Sequence, residues 1–112
     1  MVVVPESSPF GGRARTRVLM ALGLLSESYA RELARLLDMP LSGVQRALQG
    51  LERDGLVAAR AMGRTRAFRL NPGYFAFKDL KRYVLRIAAP ETELQGRIST
   101  LRRRPRRTGK PL

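Results

Sequence analysis

The sequence predicts an α+β fold: three helices, a two-stranded hairpin and a further helix, in that order. Apolar residues recur at helical spacing between Arg13 and Asp54, alternate along two short runs between Leu56 and Leu70, and return to helical spacing between Tyr74 and Ala88. Turn-forming residues stand at each change: "DMP" at 38 to 40, Gly55, "GRT" at 63 to 65 and "NPG" at 71 to 73. At 112 residues the chain has the length of one small domain.

Residues 1–12 hold prolines, serines and glycines without a sustained period and read as a flexible arm. The first helix, Arg13 to Leu25, carries Ala14, Val18, Leu22 and Leu25 on one stripe. Arg13, Arg15 and Arg17 crowd its first turns, where positive charge opposes the helix dipole, so they do not serve local helix stability; a partner phosphate or plain solvation accounts for them. Ser28 is the expected N-cap of a second helix with Ala30, Leu33, Ala34 and Leu37 inward. Pro40 pushes Met39 out of helical geometry and ends that helix near Asp38. The third helix starts near Leu41, with Leu41, Val44, Leu48 and Leu51 on one face, and closes at Asp54 with Gly55 in the left-handed position.

After Gly55, "LVAARAM" and "RAFRL" flank "GRT" and predict a hairpin with Gly63, Arg64 and Thr65 at its tip. A last helix over 74–88 places Phe77, Leu80, Val84 and Ile87 on one face. The folded unit is expected over residues 13–89. Past Pro90 the amphipathic pattern fades, leaving weak helical character over "TELQGRISTL", and residues 90–112 are expected to be a disordered basic tail, since Arg97 to Leu112 has seven basic residues and no acidic one.

Composition narrows function before any motif does. There is no cysteine and no histidine, which removes disulfides, thiolate metal sites, the commonest transition-metal ligand and the usual general base. Neither an enzyme nor a metal or other cofactor site is expected. The opening apolar run, Met1 to Val4, is too short for a signal peptide or a span, and a cytoplasmic, nucleoid-associated location is expected. With 22 Lys and Arg against 9 Asp and Glu, the net charge is +13, which favours a polyanionic partner. All but Lys78, Lys81 and Lys110 of those cations are arginine, whose planar fork suits phosphate and guanine edges.

Two helices set at an angle by "DMP" and followed by a hairpin form a helix-turn-helix with a basic hairpin beside it. In such a unit the second helix of the pair enters the major groove while the first crosses the backbone. The angle lets Leu33, Leu37, Val44 and Leu48 meet in one core and leaves Ser42, Gly43, Gln45, Arg46 and Gln49 on the opposite face. Arginine pairs bidentately with guanine, glutamine with adenine, and serine with a phosphate or a base; Gly43 permits close backbone approach.

At these residues the chain resembles the winged helix-turn-helix regulators of the ArsR and MarR type. "RELARLLDMPLSGVQRALQGLERDGLV" is similar to their pattern of E-L-A, short turn, S-x-V-x-R-x-L recognition helix and L-x-x-x-G-L-V into the wing, and "GRTRAFRLNP" resembles the wing and its exit. The likeness runs from about Phe10 to Ile87. It implies that Ser42, Gln45 and Arg46 are recognition-helix contacts, that Arg64 and Arg66 are wing contacts, and that the first and last helices form a homodimer interface. Pro40 stands where the family usually has a serine cap, and Gly43 where a hydroxyl residue is frequent.

The expected function is a sequence-specific double-stranded DNA-binding transcriptional regulator, a homodimeric repressor with no effector ligand identified. Helix 41–54 reads bases, and the wing over 60–69, with Arg60, Arg64, Thr65 and Arg66, holds the backbone or minor groove. Arg13, Arg15 and Arg17 hold the backbone, and Phe77, Leu80, Tyr83, Val84 and Ile87 pair two copies. The alternatives are a sequence-tolerant architectural nucleic-acid-binding protein, for DNA or RNA, and a protein-interaction module in which charge only aids solubility.

Overall fold

The computed structural model describes residues 10–103. Its elements are α1 (Arg13–Leu25), β1 (Ser28–Tyr29), α2 (Ala30–Leu37), α3 (Leu41–Arg53), β2 (Val57–Met62), β3 (Thr65–Leu70), α4 (Phe77–Ala88) and α5 (Thr92–Arg103). The three strands form an antiparallel sheet in the order β1-β3-β2. The core lies between the helices and the base of the hairpin, with Leu19, Leu22, Leu33, Val44, Leu51, Val57 and Val84 almost wholly removed from water.

The α2–α3 junction is built as the sequence demands. Asp38 takes a left-handed conformation (φ 55°), and the Met39 N–H returns to the Ala34 carbonyl at 3.0 Å, satisfying an orphan acceptor at the end of α2. Pro40, extended at φ −61° and ψ 142°, then hands the chain to α3. The other end of α3 repeats the device: Gly55 sits at φ 82° and the Leu56 N–H donates to the Leu51 carbonyl at 2.9 Å. The two turns thus fix both ends of α3, whose core face is made by Val44, Ala47, Leu48 and Leu51.

α1 packs against both α3 and α4. It meets α4 at Gly23, where an added Cβ would lie 2.6 Å from Val84 Cγ1, so the absence of a side chain is what admits Val84. Leu80 and Val84 are 5% and 0% exposed within a single chain, which corrects their assignment to a dimer interface: this core already covers them. Phe77 and Ile87 are half-buried against the same core, and Tyr83, at 37%, keeps an exposed ring.

Three further expectations are corrected. Ser28 is not a helix cap. It pairs with Phe68 as part of β1, and its hydroxyl donates to Glu32 at 2.6 Å, while α2 starts two residues later with no side-chain cap. The expected arm over 1–12 is docked at its end, since the Phe10 ring meets Tyr83 edge-on at 5.5 Å; residues 1–9 lie outside the described residues.

The basic tail expected from residue 90 is a helix over Thr92–Arg103. Leu94 and Ile98 are buried and Leu101 is packed beside them. Gln95 donates to the Ala88 and Ala89 carbonyls at 2.9 and 2.8 Å, and Arg97 donates to the Leu36 carbonyl at 2.8 Å, so α5 is tied to the ends of both α4 and α2. Residues 104–112 of that tail lie outside the described residues. Among the described residues no helix is long and apolar enough to cross a membrane.

Candidate nucleic-acid interface

Burying one face of α3 decides what the other face shows. With Val44, Ala47, Leu48 and Leu51 inward, Ser42, Gln45, Arg46 and Gln49 are exposed in successive turns of one helix. Gly43 lies on that side with nothing within 4 Å of where a Cβ would stand, so the backbone there is open to close approach. The first turn of α3 has neither an acidic residue nor a side-chain cap, leaving its N–H dipoles uncompensated by charge.

The hairpin stands beside this face. Met62 pairs with Thr65, leaving Gly63 and Arg64 as a two-residue turn, with Gly63 at φ 64° supplying the positive φ that a twisted hairpin needs. Thr65 therefore belongs to β3 and not to the loop itself. Between α3 and the hairpin runs an open groove of about 480 Å³, lined by Gln45, Gln49 and Glu52 of α3, by Arg64, Thr65, Arg66 and Phe68 of the hairpin, and by Tyr29 and Arg31. The structure thus brings together Gln45, Gln49, Arg64, Thr65 and Arg66, residues drawn from two parts of the sequence.

The arginines divide into two kinds. Arg46 and Arg64 make no ion pair with any described residue, and both are exposed. Arg60 instead forms a two-point pair with Glu27 at 2.8 and 2.9 Å, and Arg66 donates to Glu52 at 2.7 Å while lying 5.3 Å from the centre of the Phe68 ring. The Arg60 hydrogen bonds hold the Glu27 carboxyl below the usual range and raise the arginine in turn.

The three arginines of α1 are dispersed. Arg15 pairs with Asp54 at the end of α3, whose carboxyl that hydrogen bond pulls below its ordinary value. Arg17 lies 3.9 Å from Glu91, and with Arg13 it lines a separate crevice of about 580 Å³ beside the α2–α3 turn and α5. None of the three lines the α3–hairpin groove. Arg31 and Arg35, which the sequence reading passed over, are exposed and without ion pairs among the described residues, and both flank the start of α3. Their i, i+4 spacing on the face opposite Leu33 and Leu37 was the available signal.

No protein-family model matches the sequence, and no curated protein matches it. Among solved structures, a MarR family transcriptional regulator from Silicibacter pomeroyi DSS-3 is similar in fold, with a TM-score of 0.54 and 24% identity over 79% of this chain and 60% of that one. The fold is a winged helix. A second MarR family regulator from Silicibacter pomeroyi gives a TM-score of 0.49 at 26% identity, over 79% of this chain and 68% of that one. A possible transcriptional regulatory protein from Mycobacterium bovis gives 0.46 at 24% identity, over 70% and 89%. This winged helix spans 60% of the length of the first of these neighbours. Its wing is the β2–β3 hairpin, and the helix beside the wing is α3. Among its described residues no group of three acidic, cysteine or histidine side chains is placed to hold a metal ion.

Proposed function

We propose that this winged helix is a MarR-like transcription regulator that binds double-stranded DNA by sequence, as a homodimer and as a repressor, in the cytoplasm. The observation that carries the reading is the single groove into which α3 turns Gln45 and Gln49 and the wing turns Arg64. A helix with exposed Ser42, Gln45, Arg46 and Gln49 suits major-groove edges, and Arg46 offers the bidentate fork that guanine accepts. Arg64 at the wing tip suits phosphate or the minor groove. Arg31 and Arg35, flanking the start of α3, suit phosphates beside that end of the helix. Arg13, Arg15 and Arg17 play the lesser part, since Arg15 and Arg17 face acidic residues of the protein itself.

Two copies double a narrow footprint and make an inverted repeat the natural target. For pairing, the exposed large apolar side chains are Tyr83 and Leu85, each 37% exposed on either side of the buried Val84, and Phe75 just before α4. With neither cysteine nor histidine in the chain, regulation rests on occupancy of the site and not on catalysis.

Repeated selection of the full chain on a random duplex library at physiological salt tests this reading. Enrichment of an inverted repeat is the expected result. Binding that is salt-sensitive but enriches no motif would instead favour the sequence-tolerant architectural reading, and no salt-dependent binding at all would favour a protein-interaction module.

A further inference from the structure

The two ion pairs of the wing have a geometry that the register makes plain. β2 and β3 pair residue for residue from Val57↔Leu70 to Met62↔Thr65 without a bulge. Alternate residues of a strand point to opposite faces, so Arg66, with Phe68 and Leu70, lies on one face of the hairpin, and Arg60, opposite Ala67, lies on the other. Glu52 of α3 grips Arg66 on the first face at 2.7 Å. Glu27, just before β1, grips Arg60 on the second at 2.8 Å. The hairpin beyond them is solvent-exposed on both strands, so little else holds its tip.

We infer that Glu52 and Glu27 are internal counter-ions that brace the wing from its two faces, making Arg66 and Arg60 positioning residues withheld from phosphate and leaving Arg64 as the contact at the tip. The inference rests on the DNA-binding reading above. A carboxylate beside a duplex is repelled by phosphate, so the place of Glu52 in the groove needs a purpose, and holding an arginine in fixed geometry supplies one. The Arg66 guanidinium is further confined by the Phe68 ring, which favours a fixed orientation over a swinging one. The second pair has two parallel hydrogen bonds, the arrangement that most restricts an arginine.

The salt dependence of binding counts phosphate contacts and separates this role from direct contact. Each contact contributes a slope of about −0.9 in log K against log salt, so one more contact deepens the loss of affinity between about 50 and about 200 mM salt by about 3.5-fold. The probe is a fluorescein-labelled 30-base-pair duplex of fixed arbitrary sequence, with circular dichroism melts confirming that each variant is folded. Arg66→Ala is expected to leave the slope unchanged. Glu52→Gln frees Arg66 for phosphate and steepens the slope by about 0.9, and the double variant Glu52→Gln with Arg66→Ala returns it to the starting value. Glu27→Gln and Arg60→Ala repeat the test on the other face, so that a folding defect in one pair leaves the other informative. A shallower slope for Arg66→Ala alone overturns the inference while leaving DNA binding intact. Absence of any salt-sensitive duplex binding by the unaltered protein overturns the DNA-binding reading and this inference with it.

Discussion

Gly23→Ala probes the crossing of α1 and α4, and its sign depends on Val84. Gly23 lies inside a 13-residue helix, where alanine is favoured over glycine by about 1 kcal/mol. Against that gain, the new Cβ would stand 2.6 Å from Val84 Cγ1, a distance at which something has to move. Val84 is fully buried and β-branched, so it has no free rotamer into which to retreat, and overpacking of this kind costs about 1–3 kcal/mol. The net expectation is a loss of about 1 kcal/mol, or roughly 4–8 °C in melting temperature for a domain of this size. In a Val84→Ala background the obstruction is gone, and Gly23→Ala becomes stabilising by up to about 1 kcal/mol. Urea and thermal melts of the four chains give the coupling directly, with about 2 kcal/mol of non-additivity expected. Stabilisation by Gly23→Ala in the unaltered chain would refute the packing argument. A cost that varied with protein concentration would show Val84 to be covered by a second copy after all.

Other outcomes follow from particular side chains. Arg46→Ala is expected to lose about 1–3 kcal/mol at one base position of the selected site, whereas Arg64→Ala weakens selected and random duplexes alike; equal losses on both DNAs for both variants would contradict that division of labour. Leu94→Ala, which empties a buried position of α5, is expected to destabilise by about 2–5 kcal/mol, measured by urea melts, whereas a loosely attached tail would show no change. Glu27 and Asp54 are held below their ordinary values of 4.5 and 3.8 by Arg60 and Arg15, so the folded state binds fewer protons than the unfolded chain. The stability they contribute is complete above those values and is lost as pH falls through the lowered ones. Glu27→Gln is therefore expected to narrow the gap between urea midpoints at neutral pH and in acid, and an unchanged gap would contradict the shift.

The helices α1 to α3, the hairpin and the turns between them were legible because each rests on a local rule: an apolar stripe, a proline after a helix end, a glycine at positive φ. β1 was not legible, because two residues carry no period, and only pairing with Phe68 and Ala67 makes Ser28 and Tyr29 a strand. α5 is legible only as weak helical character over 92–101, not as a packed helix, because Leu94, Ile98 and Leu101 keep helical spacing amid Gly96, Ser99 and Thr100, which dilute the signal. Leu80 and Val84 were rightly placed on an apolar face, but a stripe does not say whether its cover comes from the same chain or another. Gln45 and Gln49 could be named from the helical face they share. The partners of Arg60 and Arg66 could not, since Glu27 and Glu52 lie 33 and 14 residues away in the chain.

The regular pairing of β2 with β3 also limits how the wing can vary in length. Opposed pairs in an antiparallel ladder alternate between two hydrogen-bonding types, and a two-residue turn closes on only one of them. Growth beyond Arg60 and Arg66 is therefore quantised: each strand must gain residues in twos if Gly63 and Arg64 are to cap the hairpin as they do now. One such step would carry Arg64 about 7 Å outward. Both ion pairs, which lie below the closing Met62–Thr65 pair, would stay undisturbed. The reach of the tip and the rigidity of its mount are thus separately adjustable, much as a lever arm is lengthened without moving its fulcrum.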